Sequence, residues 1–85
     1  MTNIQYISMD DVLSRMDGSR STLYAKMDKG LFPTSVKIGQ RRVAWLKHEI
    51  DTMMRAYVRS PSEEELRALV KKMQANRFDE EDSDV

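Results

Sequence analysis

The stretch "GSRSTLYAKMDKGLFPTSVKIGQRRVAWL", residues 18–46, decides how this chain is read, because its periodicity changes halfway along. Ser19 can cap a helix over about 20–29, and Gly30 is placed to end it as the residue after the C-cap. Pro33 forbids any continuation of that helix. Beyond it, Val36, Ile38, Val43 and Trp45 alternate with polar or small neighbours, the period of a β-hairpin. Gly39-Gln40 suits a two-residue type II′ turn. That register sets Ile38 against Arg41, Lys37 against Arg42, Val36 against Val43 and Thr34 against Trp45, with Val36, Ile38, Val43 and Trp45 on the core face.

Working outward, "SMDDVLSRM" reads as a first helix. Ser8 is its cap, Asp10 and Asp11 favour the first turn, and Met9, Val12, Leu13 and Met16 keep a helical stripe. Gly18 is the expected source of any positive φ in the short turn to the second helix. A third helix over 47–58 is marked by Ile50, Met53, Met54 and Tyr57 at i, i+3, i+4, i+7 spacing. "SPSEEELRALVKKM" then carries a start signal: Ser60 as cap, Pro61 in the first turn and Glu63 as the capping-box partner. Leu66, Leu69, Val70 and Met73 form its apolar stripe, available either for a homodimer contact or for packing back on the domain.

The expected organisation is a domain over 1–59, an amphipathic helix over 60–76, and an acidic disordered tail over 77–85. Overall the chain is mostly α with a small β-hairpin, a helix-turn-helix followed by a wing and an extra C-terminal helix.

Charge is unevenly distributed although the formal net charge is +0. Residues 1–59 hold ten Lys/Arg against six Asp/Glu, and residues 60–85 hold four against eight. A basic centre with an acidic end suits a polyanionic partner better than the balanced total suggests. The 85-residue chain has no cysteine and one histidine, His48, which excludes disulfides, thiolate chemistry and a multi-histidine metal centre. With no glycine-rich phosphate loop either, no enzyme, cofactor, metal or small-molecule substrate is expected. No apolar run has the ~18 residues of a membrane span, so the chain is expected to be cytoplasmic with no membrane partner.

The ordered series Ser19-Arg20-Ser21-Thr22-Leu23-Tyr24, then Gly30 with Phe32-Pro33, then Val36-Lys37-Ile38-Gly39, Arg41, Val43 and Trp45, resembles the AlpA family of phage and genomic-island regulators. These look like short relatives of excisionases and of MerR-type DNA-binding domains. The likeness covers roughly residues 5–58, and departs from the usual pattern at Gly18, Ala25 and Gln40. It implies a winged helix-turn-helix that binds double-stranded DNA and regulates a prophage or genomic island.

The residues themselves indicate how such contact would be made. On the second helix Leu23 and Met27 point inward, while Ser21, Thr22 and Ala25 leave a short, polar surface that lets a major groove approach the backbone. Candidate DNA-binding residues are Arg20, Ser21, Thr22, Tyr24 and Lys26 on helix 20–29, and Lys37, Arg41 and Arg42 on the wing 34–45 over a flanking groove. The opposed Lys37 and Arg42 would repel each other unless an anion lay across them; the plain alternatives are two side chains splaying into water or a bulge that changes the register. Trp45 reads as a core anchor. Two other roles fit the same residues: an excisionase-type DNA-bending directionality factor, and a protein-binding adaptor or anti-repressor whose acidic 79–84 run covers the basic face.

Overall fold

The computed structural model describes the backbone of residues 4–83 and the side chains of residues 4–77. Ser8 begins α1 (Met9–Met16) by accepting the Asp11 amide on its hydroxyl, and the acidic pair Asp10 and Asp11 lies in the first turn. Asp17, at φ 55°, closes that helix in the left-handed region. The turn therefore takes its positive φ from Asp17 rather than from Gly18, a role that a short polar side chain tolerates. Ser19 then caps α2 (Arg20–Asp28), and Gly30 at φ 74° ends it. The Leu31 amide reaches back to the Lys26 carbonyl and the Gly30 amide to that of Met27, the paired bonds of a Schellman close.

Three short strands form an antiparallel sheet in the order β1-β3-β2: β1 (Tyr6–Ile7), β2 (Val36–Lys37) and β3 (Val43–Leu46). β1 has only two residues, too short for alternation to reveal it in the sequence. Its pairing of Ile7 with Trp45 turns both toward the core, and Lys47 donates its amide to the Gln5 carbonyl.

The hairpin register is shifted by one residue from the sequence reading. Val36 pairs with Ala44 and Lys37 with Val43, and the Ile38 amide bonds the Arg42 carbonyl across a three-residue tip, Gly39-Gln40-Arg41. Gly39 does not take the positive φ that a type II′ turn requires. The longer tip relieves the like-charge opposition, since Lys37 now faces an apolar partner. Because a one-residue slip moves a strand's side chains to the other face, Val36 and Ile38 leave the core face for the side of Ala44. Ile38 and Val43 are exposed, and Trp45 alone of the expected four reaches the core.

α3 (Lys47–Val58) lays Ile50 and Met53, both 0% exposed, against Val12, Leu23, Phe32 and Trp45. The Trp45 indole N–H is satisfied by the Pro33 carbonyl at 3.0 Å, so the ring is fully buried without an orphan donor. Ser60, at φ 50°, closes α3 by donating its amide to the Tyr57 carbonyl. It is therefore not the cap of the next helix. That cap is Ser62, which exchanges bonds with Glu65 in a reciprocal capping box. Pro61 has no N–H to offer and falls in the linker.

α4 (Glu63–Ser83) runs beyond the boundary at 76 expected from the sequence, into residues assigned there to a disordered tail; residues 84–85 lie outside those described. Leu66 and Val70 are buried in the core, with Leu69 and Met73 packed against it. Of the two uses open to the stripe, Leu66, Leu69, Val70 and Met73 take the second, packing back on the domain rather than presenting a homodimer face. The result is a mostly helical, winged-helix-like fold. No helix of the described residues is long and apolar enough to cross a membrane.

Candidate nucleic-acid interface

α2 buries Leu23 completely and half-buries Met27, and these fix which face it turns outward. Arg20, Ser21, Thr22, Tyr24 and Ala25 are all exposed, with Tyr24 at 51%. The Ser19 hydroxyl accepts the Thr22 amide at 3.3 Å and shares a 3.1 Å bond with the Thr22 hydroxyl. Backbone bonding along the helix begins with the Leu23 amide on the Ser19 carbonyl, which leaves the Arg20 and Ser21 amides ahead of the ladder.

The start of α2 also differs electrostatically from the other helices. α1, α3 and α4 each carry a carboxylate in the first turn, and α2 carries none. Its partial positive charge is left uncancelled and has the Arg20 guanidinium beside it. Backbone amides, hydroxyls and a cation at one exposed helix end form a suitable seat for a phosphate or a base edge.

Lys26, also a candidate from the sequence, is placed differently. Its ammonium lies 5.0 Å from the centroid of the Tyr57 ring, on the flank of α2 that meets α3. It is half-buried, apart from the exposed serine and threonine.

On the wing, Lys37, Arg41 and Arg42 are all exposed. With the observed register Lys37 shares a face with Val43, whereas Arg42 shares the opposite face with Ile38. Arg41 sits in the tip between them. The two cations expected side by side are on opposite faces of the hairpin, an arrangement suited to a tip entering between two negatively charged walls.

The segment joining α2 to the wing is held by α4. Arg67 donates to the Lys29 carbonyl at 3.0 Å, and Gln74 accepts from the Thr34 amide at 3.0 Å. Arg77 donates to the Thr34 carbonyl at 2.8 Å and grips Glu49 through two bonds of 2.8 and 2.6 Å. Glu49 is 1% exposed, so this fork compensates a buried carboxylate. Nothing in the sequence singles out Glu49. Its partner lies 28 residues away, and no local periodicity signals such a pair.

Asp51 bridges Arg15 and Lys47 at 2.8 and 2.9 Å. The Lys47 hydrogen bond, helped by Arg15, holds its carboxyl below the ordinary 3.8 despite some opposing burial. Among the described residues no three His, Asp or Glu side chains gather where a metal could be held.

Comparison with known proteins adds family to geometry. The family described as Prophage CP4-57 regulatory protein (AlpA) matches residues 5–57. A curated relative, the uncharacterized protein ORF88 of Enterobacteria phage P4, is 35% identical over 54 residues, 64% of this chain and 61% of the relative. The chain therefore spans less than two thirds of that relative's length. No solved structure matches. The family match stops at the end of α3, before the residues of α4 that fasten the connector.

Proposed function

The chain belongs to the AlpA family of prophage regulatory proteins, and from that premise we propose that it is a sequence-specific double-stranded-DNA-binding regulator of a prophage or genomic island. The observation that carries the reading is the start of α2, the one helix among the described residues without a first-turn carboxylate, with small hydroxyls exposed and Arg20 beside them.

In this reading the front of α2 enters the major groove. Arg20 reads a base edge, guanine being the best partner for a guanidinium. Ser21 and Thr22, with the free amides, hold phosphate or base edges, and the exposed Tyr24 hydroxyl bonds a phosphate. The wing enters the flanking groove tip-first, Arg41 leading, with Lys37 and Arg42 each facing one phosphate wall. Lys26 contributes charge from the side.

A second role rests on the same contact. Ile38 is an exposed apolar side chain next to the wing tip, and minor-groove proteins use such residues to unstack and bend a duplex. That observation favours a DNA-bending excision factor as the runner-up.

Titration of labelled duplexes tests both. Arg20→Ala should relax preference between island-derived and random duplexes, whereas Lys37→Ala should weaken all duplexes alike. Circular-permutation electrophoresis measures any bend, and a bend lost in Ile38→Ser supports the excision role. Absence of binding by wild type below about 100 μM rejects the DNA reading in favour of a protein-binding adaptor.

A further inference from the structure

On the side of the domain where α1 and α2 meet α3, two adjoining clefts of about 630 and 300 Å3 share Arg15 and Met54 as lining residues. Met16, Met54 and Tyr57 give them an apolar, adaptable floor; Arg15, Lys26 and Arg55 supply a cationic rim. The stripe continues along α3. Val58 follows Met54 at helical spacing and is 84% exposed, the most exposed large apolar side chain among the described residues. The Tyr57 hydroxyl is buried with no hydrogen-bond partner. Burial pushes its ionisation above the ordinary 10.0, which keeps it a proton donor.

A floor of thioethers and a phenol ring, with Lys26 and Arg55 on the rim beside the Asp51-paired Arg15, fits an acidic peptide carrying an apolar residue. The chain contains a segment of the complementary kind. Residues 78–85, "FDEEDSDV", hold one phenylalanine, five carboxylate side chains and no cation.

Residues 78–83, the described part of that segment, continue α4 away from the cleft of their own copy. α4 starts just after α3 ends, and by Arg77 it has come back to Glu49 in the first turn of α3. The helix then continues to Ser83, about 9 Å farther past the start of α3, while the cleft lies along residues 51–57.

We propose that the acidic C-terminal segment of a second copy docks in this cleft, its phenylalanine matched to the Met16–Met54 floor and its carboxylates to Arg15, Lys26 and Arg55. The contact is heterologous, cleft to tail, so it builds open chains of copies rather than a closed dimer. Copies on neighbouring DNA sites would reinforce one another through it. The proposal does not depend on the DNA reading, and its test contains no nucleic acid.

Sedimentation velocity of the full chain at low salt is the measurement. The wild type should show a concentration-dependent rise in weight-average mass, to about 1.5-fold or more near 0.2 mM. The pair Lys26→Glu/Arg55→Glu should remain monomeric, and so should Glu80→Lys/Glu81→Lys. An equimolar mixture of the two variants should associate again, since each cleft then meets a tail of opposite sign. A monomeric wild type, association surviving in either variant, or a mixture that stays monomeric overturns the proposal. A labelled oligoglutamate that binds the chain as tightly as a labelled peptide of residues 77–85 also overturns it, in favour of an acidic partner from elsewhere.

Discussion

The two ends of α2 are built on opposite plans. At the rear, the Lys29 carbonyl takes a bond from Arg67, Leu31, Phe32 and Pro33 are buried, and Thr34 is held by Gln74 and Arg77. At the front, one serine hydroxyl covers one amide, and Arg20, Ser21 and Thr22 are all exposed. A helix seated in the core by Leu23 and bonded at its far end keeps its orientation while the polar residues of its first turn stay available to a partner. Rigidity and availability are thus assigned to different residues of one nine-residue helix. Substitutions at the rear should therefore act on stability, and those of the exposed front residues Arg20, Ser21 and Thr22 on binding.

The largest effect is expected at the rear. Phe32, 0% exposed at the centre of the core, should cost about 3–5 kcal/mol as Phe32→Ala in urea unfolding, a large fraction of what a domain this size has. Next is Arg77→Ala, which strands the Glu49 carboxylate in the interior. A loss of about 3 kcal/mol is expected, at the low end for a buried pair because Arg77 is 18% exposed. Restoring stability by adding Glu49→Leu would confirm that the orphaned charge is the cause; a double variant no better than the single would reject it.

The front end should behave in the reverse manner. Arg20→Ala should change unfolding free energy by no more than about 0.5 kcal/mol, yet cost about 1–3 kcal/mol of discrimination between duplexes. Equal losses of stability and of discrimination would break the comparison. Ser19→Ala removes the cap and should lower stability by about 1 kcal/mol in the same unfolding assay.

The smallest effect lies at neither end. Asp51 ionises below its ordinary 3.8 because Lys47 and Arg15 bond its carboxylate. A depressed folded-state value means the contribution is present above the ordinary carboxylate pKa and fades as pH falls through that value and the lower folded one. With the side chain 32% exposed, it should amount to about 0.5 kcal/mol. The gap in urea midpoint between wild type and Asp51→Asn should be measurable at neutral pH and shrink as the pH is lowered through 3.8 and below.

What could be read from the chain follows the same physical divide. Helix limits set by local chemistry were legible: Ser8 and Ser19 as caps, Gly30 as terminator and the Ile50–Met53 stripe all depend on near neighbours. The exposed front of α2 was legible too, since Leu23 and Met27 dictate the helix rotation. The wing register was not. Gly39-Gln40 satisfies a two-residue turn locally, and only the like-charge conflict between Lys37 and Arg42 pointed to another tip. Ser60 and Ser62 both precede a plausible first turn, and the choice between them depends on how α3 closes. The fork between Arg77 and Glu49 was invisible for the simplest reason: its partners meet only after the whole chain has folded.

A salt titration of duplex affinity tests the central claim, that the front of α2 and the wing tip grip one polyanion. About five phosphate contacts should give a log–log slope of about −4 to −5 for the wild type, shallower by about two for Arg41→Ala/Arg42→Ala at unchanged stability. An affinity indifferent to salt, or a slope unmoved by removing both arginines, would contradict it.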